Sequence, residues 1–300
     1  MRVSFNEVRN NKLKSYLLIF FFILIIGMLG GLIGLIYNNI YVGLIISIFA
    51  GLIYTLLVFN TGDKMILSMS GAKLVTKKEY PHLYHVIEGL TIAAGLKNTP
   101  KAYVIEDTAL NAFATGKDPE HSSIAVTTGL LKKLNREELE GVIAHEMSHI
   151  KNYDIRFMML TTILIGIVTL LSDFLLRSFL WGGMGRRDNE NNNMTLVLVV
   201  VGLVLAILTP LIGQMIRLAI SRKREFMADA SAVTLTRYPK GLANALRKIK
   251  DDPDPLVDHA NKATAHLFIS VPFRKKQTIM NKLFSTHPPI DERIKILEEM

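Results

Sequence analysis

Two histidines stand four residues apart, His145 and His149, with Glu146 beside the first, in the stretch VIAHEMSHIKN at 142–152. On a helix that spacing puts both imidazoles on one face, so two ring nitrogens can meet a single metal ion while the glutamate projects alongside. Zinc bound by three protein groups keeps a fourth position for water and lowers the pKa of that water toward neutrality. A neighbouring carboxylate can then take the proton as the water attacks a peptide carbonyl. The competing reading is a surface helix that carries two histidines and no metal. Val142, Ile143, Ala144, Met147 and Ile150 weigh against it, since they describe a buried helix, where unpartnered imidazoles are costly.

A third ligand must come from elsewhere, and with no cysteine in the chain it must be His, Asp or Glu. The stretch SRKREFMADA at 221–230 offers Glu225 and Asp229, again four apart. One of them can bind the metal while the other reaches the second ring nitrogen of a ligand histidine and fixes its tautomer. The alternative is a solvated face paired with Arg222 and Arg224. His82, His85, His121, His259 and His266 lack ligand spacing and are expected to be structural or exposed. DDPDP at 251–255 lacks the ligand spacing of a calcium loop and reads as a turn.

Elements must hold these groups in place. Asn135 stands three residues before Glu138, an N-cap spacing, and predicts that the HEMSH stretch lies on a helix with acidic residues in its first turns. Upstream, Tyr80–Leu96 has helical spacing after Pro81. Lys101–Ile105 and Ser123–Thr127 read as short strands, with LNAFATG between them and GKDPEHS as a loop. Residues 63–156 are therefore α+β.

The rest of the chain has bilayer composition. No Asp, Glu, Lys or Arg occurs from Ser15 to Gly62. Tyr16–Tyr37 and Ile40–Phe59 each supply the ~20 apolar residues that a helix needs to cross a ~30 Å hydrocarbon core. A cleaved signal peptide is the alternative for the first, but its apolar run is too long and no small-x-small site follows. A third span is expected at Phe157–Leu180, with Asp173 and Arg177 paired at i, i+4, and a fourth at Met194–Ile216. The third can alternatively be a buried interior hairpin.

Basic residues set the orientation. Arg2, Arg9, Lys12 and Lys14 precede span one, Lys151 and Arg156 precede span three, and Arg217, Arg222, Lys223 and Arg224 follow span four. All fall on one side, so both termini and the 60–156 segment are predicted to be cytoplasmic. The loop at 181–193 balances Arg186 and Arg187 with Asp188 and Glu190. The net charge of +9 has no dense basic arm, which argues against nucleic acid as a partner. The same basic residues suit anionic lipid head groups.

HEMSH, REFMAD after a hydrophobic pair, LNAFATG upstream and STHPPIDERI near the end together resemble the HtpX family of membrane zinc metallopeptidases, relatives of the CAAX prenyl endopeptidases. The likeness runs from about residue 60 to the end; spans one and two agree in position and character only. It implies a gluzincin site with one Zn2+ on His145, His149 and Glu225, Glu146 as general base, and Asp229 supporting a ligand from behind. Asn111 and Ala112 match the family's active-site edge strand, where substrate would add as a strand. His287 and Arg293 match positions near the site, with a role in binding the oxyanion or orienting substrate.

The implied fold is an α-helical multi-pass membrane protein with a zincin-like α+β metallopeptidase domain on the cytoplasmic side of a prokaryotic inner membrane. Residues 1–60 form one transmembrane hairpin, 61–156 a protease part, 157–219 a second hairpin and 220–300 the protease part with the third ligand. The implied function is quality control of damaged or misfolded membrane proteins, so the expected partners are membrane or unfolded proteins and the bilayer. Alternatives are a prenyl-protein endopeptidase, a zinc-binding scaffold without activity, and a transporter, for which Asp173 and Arg177 are the only support.

Overall fold

The computed structural model describes residues 2–36, 38–164, 166–167, 202, 222–252, 269 and 288–300. Most of the third expected span, the whole of the fourth apart from Gly202, the loop between them, Asp173, Arg177, His259, His266 and His287 lie outside the described residues.

The chain opens with two antiparallel helices, α1 (Arg2–Ile36) and α2 (Ile40–Met69). The turn falls on the two asparagines: Asn38 takes a left-handed conformation with φ 57°, and the Asn39 side chain accepts from Val42 N as the N-cap of α2. A Cβ on Gly43 would stand 2.1 Å from the Gly30 carbonyl oxygen, so the two helices touch backbone to backbone there. Both helices outrun the apolar segments read from sequence. α2 continues past residue 60, where the first hairpin was expected to end, because NTGDKMILSM contains no proline to stop it and Gly62 packs against Met159 and Ile163.

A four-stranded mixed sheet follows, formed by β1 (Lys73–Leu74), β2 (Lys101–Ile105), β3 (Ala112–Asp118) and β4 (His121–Thr127) in the order β1-β2-β4-β3. β2 and β4 run parallel; the other two pairings are antiparallel. GKDPEHS is not simply a loop. β3 continues to Asp118 because Gly116, at φ 147°, absorbs a register shift, and Asp118 then pairs with His121.

Side-chain alternation divides the sheet between two cores. Ala102, Val104, Ala112, Ala114, Ile124 and Val126 face one cluster; Ile105, Phe113 and Ala125 face the other. The first is filled by α3 (Pro81–Ala94), α5 (Arg136–Lys151) and α8 (Pro239–Asp251); the short α4 (Thr128–Lys133) leads from β4 into α5. The second is filled by α1, α2 and α6, helical over 154–164. The sheet therefore lies between the α5 layer and the apolar hairpin. α7 (Arg222–Thr236) and α9 (Ile290–Glu298) complete the described fold beside α5 and α8.

Candidate metal centre

α5 starts with a full capping box. The Asn135 side chain accepts from Glu138 N at 2.9 Å, and Glu138 Oε2 accepts from Asn135 N at 2.8 Å. From Val142 to Ile150 every residue of α5 is buried, histidines and Glu146 included. α7 brings a second set of buried charges to it, Arg224, Glu225 and Asp229.

Three ligand residues converge where the two helices meet. His145 Nε2 and His149 Nε2 are 3.2 Å apart; Glu225 Oε2 is 3.7 Å from the first and Glu225 Oε1 is 3.6 Å from the second. Nitrogen and oxygen ligands at tetrahedral zinc distances would be separated by roughly 3.3–3.6 Å. The donor set thus fits a metal, and His145, His149 and Glu225 are the residues able to hold one. Glu146 lies on the same stretch of α5, 3% exposed, close enough for its charge to act on both His149 and Arg293.

Each histidine is held from behind by a carboxylate. Asp229 Oδ1 is 2.9 Å from His145 Nδ1, and Asp154 Oδ2 is 3.0 Å from His149 Nδ1. These contacts leave the Nε2 atoms turned to one another and to Glu225, as metal binding requires. Each carboxylate is in turn gripped by an arginine. Arg293 gives Asp229 a two-pronged contact, Nε to Oδ2 at 2.8 Å and Nη2 to Oδ1 at 2.7 Å, while Arg224 Nη1 donates to Asp154 Oδ1 at 3.0 Å.

The electrostatics follow from those pairings. Burial alone would raise the Asp229 pKa, but the Arg293 charge and the hydrogen bonds from His145 and Arg293 outweigh it and hold the group at about 2. Burial alone would lower His149; the Asp154 hydrogen bond and the charges of Glu225, Asp154 and Glu146 prevail and raise it to about 9. Arg293 is raised as well, against its burial, by Asp229, Glu225 and Glu146.

The expected residues do not all gather at one point. His145, His149, Glu146, Glu225, Asp229 and Arg293 come together. Arg293 is fully enclosed, with Nε and Nη2 on Asp229 and Nη1 3.8 Å from Glu225 Oε2. Ala112 opens β3, an outer strand of the sheet beside α5, and Asn111 stands immediately before it. Thr127 N donates to Asn111 O, which turns the Ala112 carbonyl away from β4; that carbonyl accepts from Ile269 N at 3.0 Å. His82, His85 and His121 are exposed.

The solvated-face alternative for Glu225 and Asp229 fails, since both are buried and Arg224 pairs with Asp154. Asp154 itself escaped the sequence reading. Its signal was available: it is the only acidic residue between Glu146 and Asp173. What sequence does not display is the turn after α5, where Tyr153 at φ 62° folds the chain back so that residue 154 reaches residue 149.

The profile of peptidase family M48 matches residues 77–300. A protease HtpX homolog of Dictyoglomus turgidum is 44% identical over 296 residues, covering 99% of this chain and 94% of that one. A protease HtpX homolog of Streptococcus gordonii is 41% identical over 299 residues, 99% of each. Among solved structures, Ste24p of S. mikatae superposes with a TM-score of 0.52 at 17% identity, over 91% of this chain and 61% of that one, a likeness of fold alone. A mixed sheet, two helices whose buried His145, His149 and Glu225 could hold a metal ion, and two helices long and apolar enough to cross a bilayer fit the membrane-bound metalloproteases that these relatives are. The chain belongs to peptidase family M48, among its HtpX proteases. Protein substrates and a membrane setting come with that membership.

Proposed function

We propose that this protein is a zinc endopeptidase of the gluzincin type, with one Zn2+ on His145, His149 and Glu225 and with Glu146 as general base. The observation that carries the reading is the convergence of one ligand atom each from His145, His149 and Glu225, all within 4.8 Å of one another, with the carboxylates behind the two histidines each paired with an arginine. Zinc held by these three residues would supply Lewis acidity toward a water molecule and the scissile carbonyl. Glu146 takes the proton of the attacking water and returns it to the leaving amine. Asp229 and Asp154 keep each ring's Nδ1 protonated and its Nε2 available. Substrate adds to the outer side of β3 at Asn111 and Ala112, where it would take the place of Ile269 N on the Ala112 carbonyl, through main-chain hydrogen bonds that impose little side-chain preference.

Both hairpins span the bilayer in this reading, with the termini and the site cytoplasmic. The metal then lies close to the membrane surface, since His149 stands eight residues before the expected third span and Glu225 nine after the fourth. Loose sequence preference beside a bilayer suits removal of damaged or misfolded membrane proteins.

The test is cleavage of an unfolded model protein in detergent by wild type and Glu146→Gln, each with its zinc content measured. Zinc in both with cleavage by wild type alone is expected. Equal cleavage by both would remove Glu146 from the mechanism, and cleavage of one short motif only would end the quality-control reading.

A further inference from the structure

The carboxylate behind His149 is held by more than Arg224. Asn11, on α1 just ahead of the uncharged stretch, lies 143 positions from Asp154 in sequence and donates from Nδ2 to Asp154 Oδ1 at 2.6 Å. The same Nδ2 donates to the Asn152 carbonyl at 2.8 Å. Both partners are acceptors, so the orientation of the amide is forced.

Asn11 is 1% exposed, and its Oδ1 has no hydrogen-bond partner among the described residues. Apolar packing alone does not call for such a residue, because leucine would fill a similar volume without burying an unpaired amide oxygen of its own. What asparagine does and leucine cannot is hold Asp154. The contacts run without a gap from Asn11 Nδ2 to Asp154 Oδ1, from Asp154 Oδ2 to His149 Nδ1, and from His149 Nε2 into the ligand cluster.

The neighbouring residue supports the same place. Lys12 Nζ stands 4.4 Å from the centre of the Tyr153 ring, and Arg156 covers that ring at 5.1 Å. Tyr153 is the left-handed residue of the turn that delivers Asp154 to His149. Two consecutive residues of α1 thus bear on one turn of the metal centre.

We propose that Asn11 is a positioning residue of the metal centre, through which the first apolar helix fixes the His149 ring by way of Asp154. On this view α1 anchors the chain and also belongs to the support of the site. The proposal rests on the zinc-ligand reading above.

The experiment is chelator competition on the full-length protein in detergent, giving a zinc dissociation constant for wild type and Asn11→Leu, alone and in an Asp154→Asn background. The visible spectrum of the Co2+-loaded forms and the unfolding midpoint of the metal-free forms are recorded beside it. Asn11→Leu should weaken zinc about tenfold, at the lower end of what loss of outer support does, and change the Co2+ bands. The metal-free midpoint should fall modestly, because the Asn152 carbonyl and Asp154 each lose a donor, so the Co2+ bands and the Asp154→Asn background are what separate a positioning role from a structural one. In the Asp154→Asn background the same substitution should change zinc affinity by less than about twofold, because its route to the metal is already cut. Zinc affinity within about twofold of wild type for Asn11→Leu alone, or an undiminished effect in the Asp154→Asn background, would overturn the proposal. If Asn11→Leu does not fold, Asn11→Ala takes its place with the same outcomes. A wild-type protein that binds no zinc would instead remove the metal-site reading itself.

Discussion

α2 and α5 invert one another. α2 is apolar and turned outward: Ile46 and Phe49 are 64% and 65% exposed, and only Gly51, Thr55, Val58, Gly62, Ile66 and Leu67 are buried. α5 is half polar and turned inward, burying Glu138, His145, Glu146 and His149 along with its aliphatic residues. In water both arrangements would be unfavourable, the first for its exposed apolar surface and the second for its buried charge. Each is explained by what surrounds it. α2 is long and apolar enough to cross a bilayer, and a bilayer accepts its outer face. On α5, Glu138 pairs with Lys248, and His145 and His149 meet Asp229 and Asp154 from neighbouring helices, which are paired in turn with Arg293 and Arg224.

The sharpest way to break the α5 side is to remove a ligand. Glu225→Ala leaves two histidines and a buried Arg293 without its carboxylate neighbour at 3.8 Å. Cleavage should be abolished and zinc affinity should fall by more than about 100-fold, read by chelator competition. Stoichiometric tight zinc in that variant would show that the ligand cluster is not the binding site.

The α2 side is tested by adding the same charge in two places. Phe49→Lys puts an ammonium at mid-span, where insertion scales assign about 2.5–3.5 kcal/mol. Ile92→Lys puts one on α3, at a side chain 82% exposed, where a surface substitution changes stability by about 0.5 kcal/mol or less. The yield of membrane-inserted, folded protein should drop for the first and hold for the second. Equal tolerance of both would mean that the outer face of α2 does not meet lipid.

The two helices also differ in how far sequence discloses them. Charge-free runs located the hairpin, yet not its ends, because hydropathy marks where lipid is tolerated and a helix stops only where its backbone is interrupted. Asn135, Glu138 and the HEMSH spacing disclosed where α5 starts and which face carries the imidazoles, because capping and i, i+4 geometry are local. Asp154 and the enclosure of Arg293 were hidden for the opposite reason. They depend on contacts across 64 residues for Arg293 and Asp229, and on a backbone turn at Tyr153 that no residue type announces. Glu225 and Asp229 were visible as a pair, and only the resemblance separated their roles.

A gentler perturbation compares the two carboxylates that support the ligands. Asp229→Asn and Asp154→Asn each keep an oxygen near the histidine and remove the charge. Each should weaken zinc by about 10- to 100-fold, with Asp229→Asn also stranding the fully buried Arg293 and lowering the unfolding midpoint more. Identical midpoints would show that Arg293 finds another partner.

The smallest effect is a proton. In the metal-free protein His149 titrates at about 9, so at pH 7.5 it carries a proton that zinc must displace. Zinc binding should therefore release about one proton from this residue, seen as a buffer-dependent enthalpy in calorimetry, and affinity should rise with pH until about 9. Metal-free stability runs the other way. A folded-state pKa raised above the ordinary 6.5 contributes stability that is complete below 6.5 and lost as pH climbs through 9. Asp229 mirrors this at the acid end: its depressed pKa contributes above the ordinary 3.8 and is lost as pH falls toward 2. Alkaline buffer should thus loosen the empty site while tightening its grip on metal. Zinc affinity that stays flat from pH 6.5 to 9 would mean that His149 is already neutral when empty, and that Asp154 orients its ring without holding its charge.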